Sequence, residues 1–275
     1  MALVTAVVDG HVHIHSCYDV DAFFDNAYRN LRDTVAVGAE ESRANFLLMT
    51  ECEGDDFFGA LRDIASSNSS TGRIQLRRWS VEVTDEAESI VASNEGRRLF
   101  IIAGRQVACR EGLEVLLLGT TGKFQDRRSI HEVLDEAVTH GVPHVIPWGA
   151  GKWFFRRGKL LSQLLREHRA PMFFLGDEGG RPAFWPYPRH FTEAGRLGVR
   201  DLPGTDPLPF AHDVDKVGRV GFCVKMNLDE KRPARSLFQV LGDGITPIER
   251  FARLEPFTRF VRNQVAMQLR KRQSS

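Results

Sequence analysis

The sequence has no CxxC pair: its four cysteines, Cys17, Cys52, Cys109 and Cys223, are scattered over 275 residues. That spacing excludes a zinc ribbon or a disulfide-stapled scaffold and fits a reduced, cytoplasmic setting. Long hydrophobic runs are lacking too. The longest, such as FLLM and VLLLG, are strand-sized, so no membrane partner is expected. The N-terminal MALVTAVVDG lacks the basic region of a leader and reads as a first strand. Neither sign of charge is in excess. With 37 basic and 36 acidic residues, net +1, there is no global field for nucleic acid, and a nucleic-acid partner is not expected. The basic end LRKRQSS suits the last turn of a helix, where cations meet the negative end of its dipole. Internal repeats and low-complexity linkers are absent. GAGKW, around Lys152, lacks the spacing and the hydroxyl of a nucleotide-binding P-loop.

What remains is a globular composition, 42% hydrophobic and 27% charged. Apolar runs of strand length (Leu3–Val8, ANFLLMTE, VPHVIPWG, PMFFLG, RVGFCVKM) alternate with amphipathic stretches. The first of these, DVDAFFDNAYRNLRDTVAVG, puts Phe23, Phe24, Ala27, Tyr28 and Leu31 on one helical face. Asp19 or Asp21 is a candidate cap and Gly38 a stop. GDDFFGALRDIASSN reads as a helix, RIQLRRWSVEV as a strand, and RRLFIIAGRQVACREGLEVLLLG as a hairpin around REG. The final stretch, PIERFARLEPFTRFVRNQVAMQLRKR, reads as one or two helices. Such alternation implies an α/β fold with a mainly parallel, helix-covered sheet, open or closed into a barrel.

The densest polar motif is DGHVHIHSCYD, residues 9–19. Along the first strand the even positions are apolar, while the odd ones turn polar: Asp9, His11, His13, His15. Histidines two apart on a strand point the same way, so His11 and His13 can reach one ion. His15 falls past the strand end, in a loop. Asp9 is a candidate for orienting a histidine through its second nitrogen.

DGHVHIHS resembles the opening of metal-dependent hydrolase barrels, both amidohydrolase-type and those of the polymerase and histidinol phosphatase (PHP) family. The order of later segments is similar to PHP. Thr50-Glu51-Cys52 stands where that family has Thr-Asp-His. Gln106 stands where it has Glu, and Ile146-Pro147-Trp148 lies at its His-Pro. Asp206 matches the Ser-Asp-x-His loop, with Leu208 replacing the second His. The resemblance implies a distorted β/α barrel over 1–225, with a C-terminal helical extension, 226–275, packed on the same domain. It carries over His11, His13 and Asp206 as metal ligands. Glu51 is a substitute ligand, and Asp206 or Glu51 would take a proton. A divalent ion, Zn²⁺, Mn²⁺ or Fe²⁺, tolerates this N/O set. The implied activity is metal-dependent hydrolysis of a small anionic substrate, a phosphoester.

Three loops supply candidates for the anion. WGAGKWFFRRGK offers Lys152 for charge and Trp148 for stacking. GDEGGRPAFWPYP offers Arg181 for charge, with Asp177 at a strand end that reaches the same mouth, and Arg105, in GRQVACREG, is the third candidate cation. The competing reading is a barrel that no longer catalyses and binds a ligand or protein at the old mouth, because several family ligand positions are altered. A TatD-type nuclease would want a basic groove, which the balanced charge does not provide. Oligomeric state is left open.

Overall fold

Valines at positions 4, 7, 8 and 12 stiffen the N-terminal stretch into β1 (Ala2–Val12). The computed structural model describes residues 2–34, 42–67, 74–167 and 171–273. After β1 come α1 (Val20–Thr34), β2 (Arg43–Met49), α2 (Phe57–Ser67), β3 (Ser80–Val83), β4 (Ser89–Asn94), β5 (Arg97–Ile102), β6 (Gly104–Ala108) and β7 (Glu114–Leu118). Then follow α3 (Ile130–Thr139), β8 (His144–Pro147), α4 (Phe155–Glu167), β9 (Phe173–Gly176), α5 (Arg189–Arg196) and β10 (Arg200–Asp201). The chain ends with β11 (Val220–Leu228), α6 (Pro233–Gly242), β12 (Glu249–Ala252) and α7 (Phe257–Gln273). Gly38, the expected stop of α1, lies outside the described residues, as do Ser274 and Ser275 at the basic end.

Among the described residues the expected barrel is not formed. Strand pairing gives two open sheets, one ordered β12-β11-β1-β2-β5-β4-β3 and the other β10-β9-β8-β7-β6. Parallel pairs (β1·β2, β2·β5, β8·β9, β9·β10) are mixed with antiparallel ones, so the mainly parallel sheet is corrected as well. The division occurs at Gly104, where the chain leaves β5 in the first sheet and enters β6 in the second. A Cβ there would lie 2.3 Å from the Met49 carbonyl oxygen and 2.7 Å from that of Leu117, so only glycine lets the sheets approach. The sheets touch through single bridges rather than a continuous ladder. Glu51 pairs with Arg105, and the 203–206 segment runs between Gly10 and Asp177.

Three apolar layers follow. Val4, Ala6 and Phe46 of the first sheet pack on Leu116, Val145 and Phe174 of the second, with Leu237 and Leu241 of α6 closing the end. Phe23, Phe24 and Leu31 of α1 and Leu61 of α2 cover the outer face of the first sheet. Helices α3, α4 and α5 cover that of the second through Leu134, Leu161 and Phe191. Each such buried side chain contributes roughly 1.5–3 kcal/mol by its removal from water.

Local chemistry accounts for other departures from the expected elements. Asp19 caps α1, its Oδ1 accepting the Ala22 N–H at 2.9 Å. Asp21 is buried and accepts the N–H groups of Arg77, Arg78 and Trp79 at 2.8, 3.2 and 3.1 Å. Those donors are therefore lost to a ladder, and the expected strand RIQLRRWSVEV shrinks to β3. The hairpin expected around REG does form, between β6 and β7, but its first strand is broken at Gly104, so residues 97–119 hold three strands. β12 pairs with β11 where a helix was expected, so the C-terminal extension also adds a strand. Pro233 opens α6 at its first turn, where a missing N–H does no harm.

Gly104→Ala is expected to lower stability by roughly 1–3 kcal/mol through overpacking against two carbonyls. The check is the urea unfolding midpoint; an unchanged midpoint would show that this turn does not constrain the sheets.

Candidate metal centre

β1 carries a bulge that aims the histidines. It pairs in parallel with β2, but the register slips between Asp9, opposite Leu47, and Val12, opposite Met49. Three residues of β1 thus answer two of β2, and the alternation of faces inverts. Val4, Ala6 and Val8 face the second sheet, yet Val12 and Ile14 pack with Val7 on the helix side. By the same alternation His11 and His13 turn into the space between the sheets.

There they meet Asp206. His11 Nε2 and His13 Nε2 are 3.0 Å apart, and Asp206 Oδ1 lies 3.6 Å from the first and 3.4 Å from the second. Donors around one ion at roughly 2.0–2.2 Å sit roughly 2.8–3.6 Å from each other, so these three fit a shared cation. Among the described residues they are the group of His, Cys, Asp and Glu side chains whose ligand atoms converge in this way. Both histidines are buried and Asp206 is partly exposed, which leaves one side open. Burial lowers the His11 imidazole to about 4. Burial would lower His13 as well, but hydrogen bonds with Asp206 and Cys52 hold it up at about 10. Charge interaction with His11 and the hydrogen bond with His13 outweigh burial and keep the Asp206 carboxyl well below the usual range.

The loop bearing Asp206 is fastened by Asp9, not by chance packing. The Asp9 carboxylate is fully buried and accepts from Thr205 N (2.8 Å), Thr205 Oγ1 (2.5 Å), Gly218 N (2.8 Å) and His11 N (3.3 Å). Burial pushes its carboxyl up to about 6 against the pull of those bonds. Asp9 therefore braces the bulge and the loop rather than a histidine ring, which corrects the expected role. Asp206 itself takes a left-handed φ of 47° and donates its N–H to the His11 carbonyl at 2.8 Å. At Gly204 a Cβ would come within 2.1 Å of His11 N, so the loop can lie this close to β1 only with glycine there.

The other expected residues divide sharply. Glu51 does not join the cluster. Its Oε1 accepts the Phe58 N–H at 2.8 Å, capping α2, and its Oε2 pairs with Arg105 at 3.2 Å. Arg105 also donates to the Asp55 carbonyl at 2.7 Å, so it holds loops instead of meeting an anion. Arg181 and Asp177 are buried against each other in a two-pronged pair, with Arg250 added at 2.6 Å. Neither is available at the mouth. Trp148 is buried in the core of the second sheet and meets Trp185 edge-on at 6.0 Å. Lys152 does reach the site's surroundings: it pairs with Glu114, and Glu178 and Asp206 add to the pull that raises its ammonium against the lowering effect of burial. His15 is half-buried, with its Nε2 2.9 Å from the Pro207 carbonyl.

Gln106, read from the sequence as an altered ligand position, does stand beside the cluster, while two further neighbours, Glu178 and Glu114, escape the sequence reading. Gln106 Oε1 lies 3.0 Å from His11 Nε2, and its Nε2 lies 3.9 Å from Cys52 Sγ. Glu178 hydrogen-bonds Asp206, and burial together with the Asp206 charge raises its carboxyl. Glu114 completes the acidic rim through Lys152. Asp177 and Glu178 leave the strand in opposite directions, so adjacency alone could not say which faces the site.

No family model and no curated protein matches the sequence. Among solved structures, the fold is similar to that of PsfC from Pseudomonas syringae PB-5123. The TM-score is 0.55 at 15% identity, over 100% of this chain and 99% of that one. It is also similar to endonuclease Q in complex with a 27-mer duplex substrate carrying an abasic lesion at the active site. There the TM-score is 0.50 at 11% identity, over 90% of this chain and 58% of that one. The likeness is one of fold.

Thr205→Val keeps the shape of the loop but removes one donor to the buried Asp9 carboxylate. It is expected to cost about 1–3 kcal/mol of stability and to loosen Asp206. Urea unfolding and the Asp206 position in a crystal structure check both. Wild-type stability in this variant would show that Asp9 does not brace the loop.

Proposed function

We propose that this chain is a metal-dependent hydrolase of an anionic phosphoester. The observation that carries the reading is the convergence of His11, His13 and Asp206 on one point, at an open strand end between two sheets. A fold shared with endonuclease Q supports it. His11, His13 and Asp206 would hold the ion, and the mixed nitrogen and oxygen set suits Zn²⁺, Mn²⁺ or Fe²⁺. Such an ion supplies an acidified water and neutralises charge on a phosphoryl oxygen. The chain supplies the rest. Asp9, through Thr205, keeps the Asp206 carboxylate beside the imidazoles. Glu178, bonded to Asp206, is placed to pass a proton. Lys152 offsets part of the acidic rim of Glu114, Glu178 and Asp206 that would otherwise repel an anion. Glu51 has no part in proton transfer in this reading, because its oxygens cap α2 and meet Arg105.

A binding module without catalysis is the second reading. It draws support from Gln106, a neutral amide against His11 where the PHP pattern has an acid. Elemental analysis of the purified chain, combined with hydrolysis of an aryl phosphomonoester and a diaryl phosphodiester, separates the two. About one first-row metal per chain is expected, and affinity should fall as pH drops, since the ligating imidazoles must lose their protons. His13→Ala and Asp206→Asn should each weaken metal binding by at least about 100-fold and abolish turnover. Metal without turnover would favour the binding module. No metal in the wild type after incubation with Mn²⁺ or Zn²⁺ would overturn both the ion and the hydrolase.

A further inference from the structure

Although the chain is nearly neutral, its basic residues are not evenly spread. Residues 148–166 contain five basic and no acidic residues, 179–192 two and none, and 256–275 five and none. The fold brings these stretches together. Phe154 meets Trp185 at 6.2 Å, and Phe184 meets Phe257, at the start of α7, at 5.3 Å. Arg156, Lys159, Arg189 and Arg262 are exposed there and have no acidic partner among the described residues. Lys152, Arg166, Arg181 and Arg259 of the same stretches are paired with Glu114, Glu193, Asp177 and Asp215, so the local field of this face comes from Arg156, Lys159, Arg189 and Arg262.

The same face exposes apolar side chains. On α7, Phe257 (61%), Val261 (40%), Val265 (54%) and Leu269 (55%) recur every four residues and form one outward stripe. Phe155 (90%) and Phe184 (56%) extend it beyond the helix. The inner face of α7 is already used: Phe260, Asn263 and Gln264 line a small cavity of about 50 Å³ with Asp206 and Glu178. The outer stripe is thus not a badly placed core face, but a second surface of the same helix.

We propose that this face docks on an anionic lipid surface. The charge pattern selects the occupant. A second copy of the chain would set Arg156, Lys159, Arg189 and Arg262 against themselves. A nucleic acid would satisfy the cations but offers nothing to the aliphatic Val261, Val265 and Leu269. A bilayer with acidic headgroups meets both demands, with apolar side chains entering the interface and basic ones remaining among the headgroups. Attachment is peripheral and departs from the expectation of no membrane partner, which rested on the strand-sized apolar runs: no helix among the described residues is long and apolar enough to cross a membrane. The proposal does not depend on the hydrolase reading, because none of these residues belongs to the metal cluster.

The test is flotation of the full chain with extruded vesicles of phosphatidylcholine, with and without about one-third phosphatidylglycerol. Binding to the acidic vesicles should exceed that to the neutral ones by about tenfold or more and weaken with added salt. Val265→Glu and Phe155→Ser should each abolish it while leaving thermal unfolding unchanged, since both side chains are exposed. Leu3→Glu, equally exposed at the opposite end of β1, should bind as the wild type does. Four results would overturn the proposal: equal binding to neutral vesicles, binding that survives Val265→Glu, a dimer in solution that Val265→Glu dissolves, or retention by a single-stranded oligonucleotide without vesicle binding.

Discussion

One buried carboxylate determines whether there is a site at all. Asp9 sits at the bulge in β1, accepts the N–H of His11 beside it, and accepts from Thr205 and Gly218, 196 and 209 residues further on. These bonds do two things. They hold a break in register that turns His11 and His13 to the inner side of the sheet, and they draw the Asp206 loop to within hydrogen-bond distance of β1. A carboxylate this deeply buried persists because four donors satisfy it. Remove them and the same residue becomes a liability in the core.

The two glycines at the seams between the sheets serve that arrangement. Gly104 lets the chain pass between two carbonyls as it changes sheet, and Gly204 lets the Asp206 loop lie against His11. Elsewhere charged residues that looked functional hold loops in place. Glu51 and Arg105 tie α2 to the seam, and Asp177 ties Arg181 to Arg250. The opening left among them is small and acid-rimmed, with Lys216 in its wall paired to Glu255, Lys152 near Glu178 and Asp206, and α7 across one side. Such an opening suits a charged group approaching an ion more than a large apolar ligand.

Part of this was legible in the residues. Alternation along β1 gave the polar strand end, and the HxH spacing together with the order of the GTD loop pointed to His11, His13 and Asp206 as a set. The helix faced by Phe23, Phe24 and Leu31 followed from its period. What could not be read depends on contacts distant in sequence. The bulge inverts the faces of β1, yet it leaves no mark in the alternation of apolar residues. Whether Asp9 supports a ring or a loop depends on where Thr205 and Gly218 arrive. Glu51 differs from a ligand only in that the N-terminus of α2 lies beside it. Barrel closure is a matter of strand pairing, and period and composition do not distinguish two open sheets from a closed one. The charge total concealed a basic face because its acid-free stretches lie far apart in the sequence and meet only in the fold.

The account rests on the claim that the Asp9-braced loop builds a cation site. Anomalous diffraction from crystals grown with Mn²⁺ or Zn²⁺ tests it most directly. A single strong peak in contact with His11 Nε2, His13 Nε2 and Asp206 Oδ1 is the result this account requires. A peak elsewhere, or none between those three atoms in well-ordered crystals, would contradict it.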